Sequence, residues 1–227
     1  MERRRDHLSV AEAAHALRVS DRRIRALISA GSIAAQAVGG RWLVSRADVE
    51  QRARHRVRTG RKLGERNAWA LIARLSGEPW PKLSPWDRSR LKQRLAGRSL
   101  LSFAEELRDR AEPHLFRGDD RVLERLRSDP AIVLSGADAA AVYGADIRAP
   151  GLVEAYIDRD RLQDVVYRYA LRAADVADAN VVLRVVAGPV PRAHGRVAPV
   201  AATALDLLES SDDRSRRAGR ELARRTR

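Results

Sequence analysis

The 227 residues hold 44 Lys and Arg against 30 Asp and Glu, a formal charge of +14, and no cysteine. That inventory removes disulfide frameworks, thiolate metal sites and cysteine nucleophiles, and a chain of this length buries a sizeable core in two or three units. No apolar run follows the amino-terminal charges of MERRRDHLSV and none elsewhere is long enough to cross a bilayer, so a soluble, cytoplasmic and nucleoid-associated protein with no membrane partner is expected.

The charge is uneven. Residues 1–60 carry 13 basic and 6 acidic side chains, residues 61–128 carry 16 and 10, and residues 129–227 carry 15 and 14. Such an excess in the first half attracts a polyanion through its field and through counterion release. Nucleic acid fits better than lipid, because no basic amphipathic membrane helix stands out. Only three of the basic residues are Lys and alanine is common, a bias that genome composition also produces.

In chain order, LSVAEAAHALRVSDRRIRALISAG predicts two short helices joined by a tight turn. Ser9 caps the first with Glu12 completing a capping box, and Val10, Ala13, Ala14 and Leu17 share one face; His15 lies opposite, as a solvated histidine. Ser20 caps the second helix, which stops at Gly31. Ile24, Leu27 and Ile28 form its apolar stripe, while Arg22, Arg25 and Ser29 point away from the stripe and Arg23 sits on its flank. Gly39-Gly40 then supplies the positive φ angles of a two-residue hairpin, with Arg41-Trp42-Leu43-Val44 returning as the second strand. Ser45 opens a third helix with Asp48 at its capping-box position and Val49 inward. Helix, turn, helix, hairpin wing, helix is the order of a winged helix-turn-helix, whose second helix enters the major groove of DNA. Arginine suits both that groove, where it reads guanine, and the phosphates. Trp42 reads first as a core residue packing the wing, and second as a DNA contact.

The run LSVAEAAHALRVSDRRIRALISAGSIAAQAVGGRWLVSRADVE resembles the excisionase and MerR-type helix-turn-helix over about residues 8–52. The resemblance implies that Ser20, Arg22, Arg23 and Arg25 face the groove, with Arg41, Trp42 and Arg46 in or beside the wing. RARHRVRTGRKLG continues the charge, either as a basic linker on phosphates or as a solvated connector.

From Glu65 the pattern is helical: Trp69, Leu71, Ile72 and Leu75 precede a stop at Gly77, Ser84-Pro85 starts another helix, Ser102 and Glu105 form a capping box, and a further helix covers Asp119 to Leu126. Trp69, Trp80 and Trp86 read as core. After Asp129-Pro130, IVL, LVEAYI and NVVLRVV read as strands, with helices over Gly136 to Tyr143, Asp160 to Leu171 and Pro199 to Leu208. DDRSRRAGRELARRTR is a basic helix or a frayed tail, with seven arginines that either add phosphate contacts or are solvated. The expected fold is therefore α+β: a winged helix-turn-helix over 1–60, a helical connector over 61–128 and a mixed α/β domain over 129–227.

Asp158 and Asp160 sit two apart at a strand end behind a glycine turn, a placement that could hold a divalent cation in a nucleotidyltransferase; Asp160 also reads as a helix cap with Gln163, and that reading is favoured. No catalytic residue, metal site or cofactor is assigned. VLSGADAAAVYG, ANVVLRVV and APVAATALDLLES are similar to the C-terminal part of AbiEi-family antitoxins of type IV toxin-antitoxin systems, over about residues 130–223. That resemblance implies autoregulation and a nucleotidyltransferase toxin as partner. The function expected is a sequence-specific DNA-binding regulator of double-stranded DNA, a repressor and plausible antitoxin working as a homodimer or on repeated sites; the alternatives are an excisionase or architectural protein and a metal-dependent nucleotidyltransferase.

Overall fold

The computed structural model describes residues 7–17, 19–29, 33–46, 48–49 and 63–226, with Ser29 and Arg41 described by their backbone alone. The chain forms two compact units, 1–60 and 61–227. The predicted cap Gly31 and most of the basic run after Gln51 lie outside the described residues.

The first unit runs β1 (His7–Ser9), α1 (Val10–Leu17), α2 (Asp21–Ser29), β2 (Ala35–Val38) and β3 (Arg41–Ser45). Both helices carry the predicted stripes into one aliphatic core of Leu8, Ala13, Ala14, Leu17, Ile24, Leu27, Ile33, Val44 and Val49. The hairpin β2–β3 closes with Val38 opposite Arg41, and Gly39 and Gly40 take φ of 55° and 74°, the left-handed region a non-glycine residue enters at a cost. Strand β1 was not expected. It pairs antiparallel with the other edge of β3, Leu8 opposite Val44, making a three-stranded sheet in the order β1-β3-β2. Three residues hold too little alternation to read from sequence, and pairing with β3 is what makes them a strand.

The second unit holds α3 (Glu65–Leu75), α4 (Pro85–Leu95), α5 (Leu100–Phe103), β4 (Glu112–Arg117), α6 (Asp120–Arg127), β5 (Ile132–Leu134), α7 (Gly136–Val142), β6 (Val153–Asp158), α8 (Leu162–Arg168), β7 (Arg172–Ala173), β8 (Val181–Val186), α9 (Val200–Glu209) and α10 (Asp213–Arg225). Its sheet has the order β5-β6-β8-β4-β7, antiparallel except between β6 and β8. The two-residue period of its strands splits the interior. Val153, Ala155 and Ile157 of β6 with Val181, Leu183 and Val185 of β8 join one core with α6 and α8, whereas Tyr156 and Val186 join the other with α3, α7, α9 and α10.

Residues 61–128 are consequently not a separate connector. β4 pairs along β8 inside the sheet, and α3 shares a core with α9. The strand EPHLFR has no strand signature in sequence, because Glu112, Pro113 and His114 break the apolar alternation. Ser102 lies inside α5, its hydroxyl donating to the Ser99 carbonyl, and no capping box with Glu105 forms. Asp160 lies within a 3₁₀ turn, Arg159–Arg161, that precedes α8 without a side-chain cap, so the cap reading also fails. Ser84 does cap α4, accepting from the Asp87 amide at 3.0 Å, and Asp212 caps α10 from the Ser215 amide at 2.7 Å, which makes the arginine-rich end a helix.

The face of the sheet toward α9 buries charge. Arg110, fully buried, donates from Nε to Tyr156 Oη at 2.9 Å, from Nη1 to Glu209 Oε1 at 2.8 Å and from Nη2 to Asp206. Asp206 also accepts from Tyr156 Oη at 2.8 Å and from the Ser135 hydroxyl and is ion-paired with Arg184, whose Nε lies 3.0 Å away, while Arg184 Nη2 donates to Glu154 at 3.1 Å. Parallel pairing sets Tyr156 beside Arg184 and so aligns the group. Gly136 closes it: with φ of 55°, a Cβ there would stand 2.0 Å from Glu154 Oε2. Burial pushes the Asp206 carboxyl up, but the guanidinium groups of Arg184 and Arg110 and the Ser135 bond outweigh it and hold Asp206 below its ordinary value. For Glu154 burial wins over Arg184, and its carboxyl is raised.

Candidate nucleic-acid interface

The helix-turn-helix geometry is assembled by short-range bonds. Ser9 N donates to Glu12 Oε2 at 2.7 Å and Glu12 N to Ser9 Oγ at 3.1 Å, the reciprocal box the spacing predicts. The Ser9 backbone bond leads in holding the Glu12 carboxyl below its ordinary value. The turn is tied by Val19 N on the Ala14 carbonyl at 3.0 Å, and Ser20 Oγ accepts from Arg23 N at 3.3 Å to start α2. Burial of Ile24 and Leu27 then fixes which face of α2 looks outward, and Arg22, Arg23 and Arg25 are all exposed along it, with Ser20 at its head.

The wing emerges beside a second anchor. Ser45 Oγ accepts from Asp48 N at 3.3 Å, as expected for a helix start, and Asp48 Oδ2 accepts from Ala34 N at 2.7 Å, tying the entry of β2 to that start. Arg46, Asp48 and Val49 are helical, and the continuation of the third helix lies outside the described residues. Trp42 is 41% exposed and is not the core residue its size suggested. Its place in β3 explains this: Trp42 pairs with Ala37 next to the turn end of the hairpin, while Val44, two residues on, fills the core. Trp42 and Arg46 are both exposed, Arg41 contributes its backbone at the β3 start, and His15 is exposed on α1.

Residues 8–57 match the helix-turn-helix domain family. This match, on a unit with an exposed arginine face and a glycine-turned hairpin, supports a DNA-binding regulator. No curated protein and no solved structure matches the chain. No comparison supports the antitoxin resemblance of residues 130–223. Among the described residues no helix is long and apolar enough to cross a membrane.

The pair Asp158 and Asp160 does not assemble as a cation site. β6 ends at Asp158, so the alternation that would align the two carboxylates stops there. Asp158 Oδ1 instead accepts from Val190 N at 2.9 Å, and Asp160 is exposed in its 3₁₀ turn. Among the described residues no three His, Asp or Glu side chains converge to hold a metal ion.

Proposed function

We propose that this chain is a sequence-specific transcriptional repressor acting by binding rather than catalysis, with the helix-turn-helix unit as its reader of double-stranded DNA. The observation that carries the reading is the exposed face of α2, where Arg22, Arg23 and Arg25 stand over a buried aliphatic stripe beside the Gly39-Gly40 hairpin. In this reading Ser20 and the three arginines meet base edges and adjacent phosphates in the major groove, and Arg41, Trp42 and Arg46 position the backbone. A reader this small calls for a homodimer or repeated sites to reach useful affinity.

The test is fluorescence anisotropy on the duplex upstream of the protein's own gene and on an unrelated duplex, over a salt series. A preference for the upstream duplex that persists as salt rises, and disappears in Arg22→Ala plus Arg25→Ala with the fold intact, is the expected result. Equal affinity for both duplexes with a steep salt slope would instead mean a general phosphate grip, as in an architectural protein. A finer reading, an autoregulating antitoxin, rests on the small-residue pattern of residues 130–223 alone. It expects the protein to suppress the toxicity of a neighbouring gene product on co-expression, and failure of that rescue removes the antitoxin role while leaving the repressor intact.

A further inference from the structure

Helix α4 carries a face that the core does not use. Leu91 is its buried residue, Asp87 is half-buried and bonded to Ser84, and Arg94 is paired with Glu106 at 2.7 Å. What remains toward solvent is Pro85, Trp86, Arg88, Ser89, Arg90, Lys92 and Gln93, with three cations and no carboxylate. The four-residue spacing that makes helix neighbours sorts them into pairs. Arg88 and Lys92 form one edge; Trp86 and Arg90 form the other, the Arg90 guanidinium carbon lying 4.3 Å from the indole centroid. Between Arg88, Lys92 and the end of the preceding loop is a pocket of about 270 Å³ with Leu83 and Pro85 in its wall. Trp86, expected in the core, is 65% exposed. An indole left in water beside unopposed cations fits a partner that brings both negative charge and flat apolar surface.

A nucleic-acid strand has that composition. Its phosphates complement Arg88 and Lys92, and its bases stack on aromatic rings without regard to sequence. Single strands are favoured over duplex, because base planes inside a duplex are covered by their neighbours and an indole on a helix surface reaches them only by prising a step apart. We propose that the exposed face of α4 is a second nucleic-acid site, which takes a single strand with its phosphates on Arg88 and Lys92 and an unstacked base on Trp86. It is independent of the duplex reader: a repressor that fails to recognise an operator would still bind strands here.

The experiment uses the full-length protein and fluorescein-labelled oligo(dT) and oligo(U), with an unlabelled duplex as competitor. Trp86→Ala, and Arg88→Ala with Lys92→Ala, are each expected to weaken strand binding at least about five-fold, the range of one lost stacked base, and to leave duplex affinity unchanged. Trp86→Phe retains a ring and is expected to restore most of the loss. Arg22→Ala plus Arg25→Ala is expected to leave strand binding intact. All three α4 residues are exposed, so melting temperatures should not move and a folding defect cannot imitate the result. A preference for oligo(U) or for oligo(dT) would assign RNA or DNA as the strand. Unchanged strand affinity in both α4 variants overturns the proposal and leaves the face to an acidic protein, and a parallel loss of duplex binding overturns it in favour of an undifferentiated cationic surface.

Discussion

In the first unit the arginines of α2 stand in solvent above a core built only of aliphatic side chains, whereas in the second unit Arg110 and Arg184 are enclosed and bound to Asp206, Glu154 and Glu209. The same side chain is a surface offered to a partner in one unit and a structural member in the other. What separates them is whether other residues already supply the core. In α2, Ile24 and Leu27 do so, and the guanidinium groups stay hydrated; in the sheet of the second unit, Tyr156 and Arg184 share the face that α9 covers, so their polar atoms depend on partners inside, and Arg184 Nη1 is left without one. A sum of charges therefore overstates what the surface presents, because Arg110 and Arg184 are held inside the fold.

The contrast predicts opposite responses to losing one charged residue. Asp206→Ala leaves two buried guanidinium groups facing each other and is expected to cost about 3–5 kcal/mol of stability, the scale of breaking a buried ion pair from one side. Urea unfolding of the full chain measures it, and a loss under about 1 kcal/mol would show that Arg110 and Arg184 are held by Tyr156, Glu154 and Glu209 without it. Arg22→Ala should do the reverse. It is expected to remove about 1–3 kcal/mol of discrimination between operator and unrelated duplex with no change in melting temperature, because no packing is lost. A stability change of comparable size would place Arg22 in the fold rather than in the groove.

These two residues also mark what the sequence discloses. Caps and glycine turns act over three or four residues, so Ser9 with Glu12, Ser20, Ser45 with Asp48, and Gly39-Gly40 were legible, as were the strands around Tyr156 and Arg184. The partnership of Arg110 with Asp206 spans 96 positions and depends on β4 entering the sheet, and nothing local announces it. Two tryptophans depart from the burial their size predicts, for one reason. Size alone argues for burial, and yet Trp42 stands at a hairpin end and Trp86 in the first turn of α4, where the core does not reach. In the candidate interface the helix face could be read from the apolar stripe, while the exposure of Trp42 required the register of β3.

The wing sharpens the comparison at a lower energy. Gly39→Ala and Gly40→Ala each force a Cβ into left-handed backbone, although nothing within 4 Å would collide with it. Each is expected to cost about 1–2 kcal/mol. Hydrogen exchange across residues 35–45 should report faster opening there, with protection of β6 and β8 unchanged. Acceleration in both units together would mean that they unfold as one.

The smallest effect is a pH dependence of the buried cluster, in which Glu154 and Asp206 are shifted in opposite directions. Glu154 has a folded pKa above its ordinary 4.5, so its ionised form opposes folding, and stability is gained as pH falls through that raised value toward 4.5. Asp206 lies below its ordinary 3.8, so it stabilises the fold above that value, and the contribution is lost as pH falls from 3.8 through the lowered folded value. Falling pH should therefore first relieve the cluster and then break it. Melting temperatures of wild type, Glu154→Gln and Asp206→Asn between neutral and acid pH separate the two limbs: the glutamine variant, which keeps an acceptor for Arg184, should show a smaller early gain, with Asp138 and Glu78, also raised by burial, supplying the remainder, and the asparagine variant should start lower and lose less on the acid side. If Glu154→Gln follows the wild-type curve throughout, Arg184 dominates the Glu154 carboxylate more strongly than its burial does, and the cluster acts as a balanced ion network with a single acid limb.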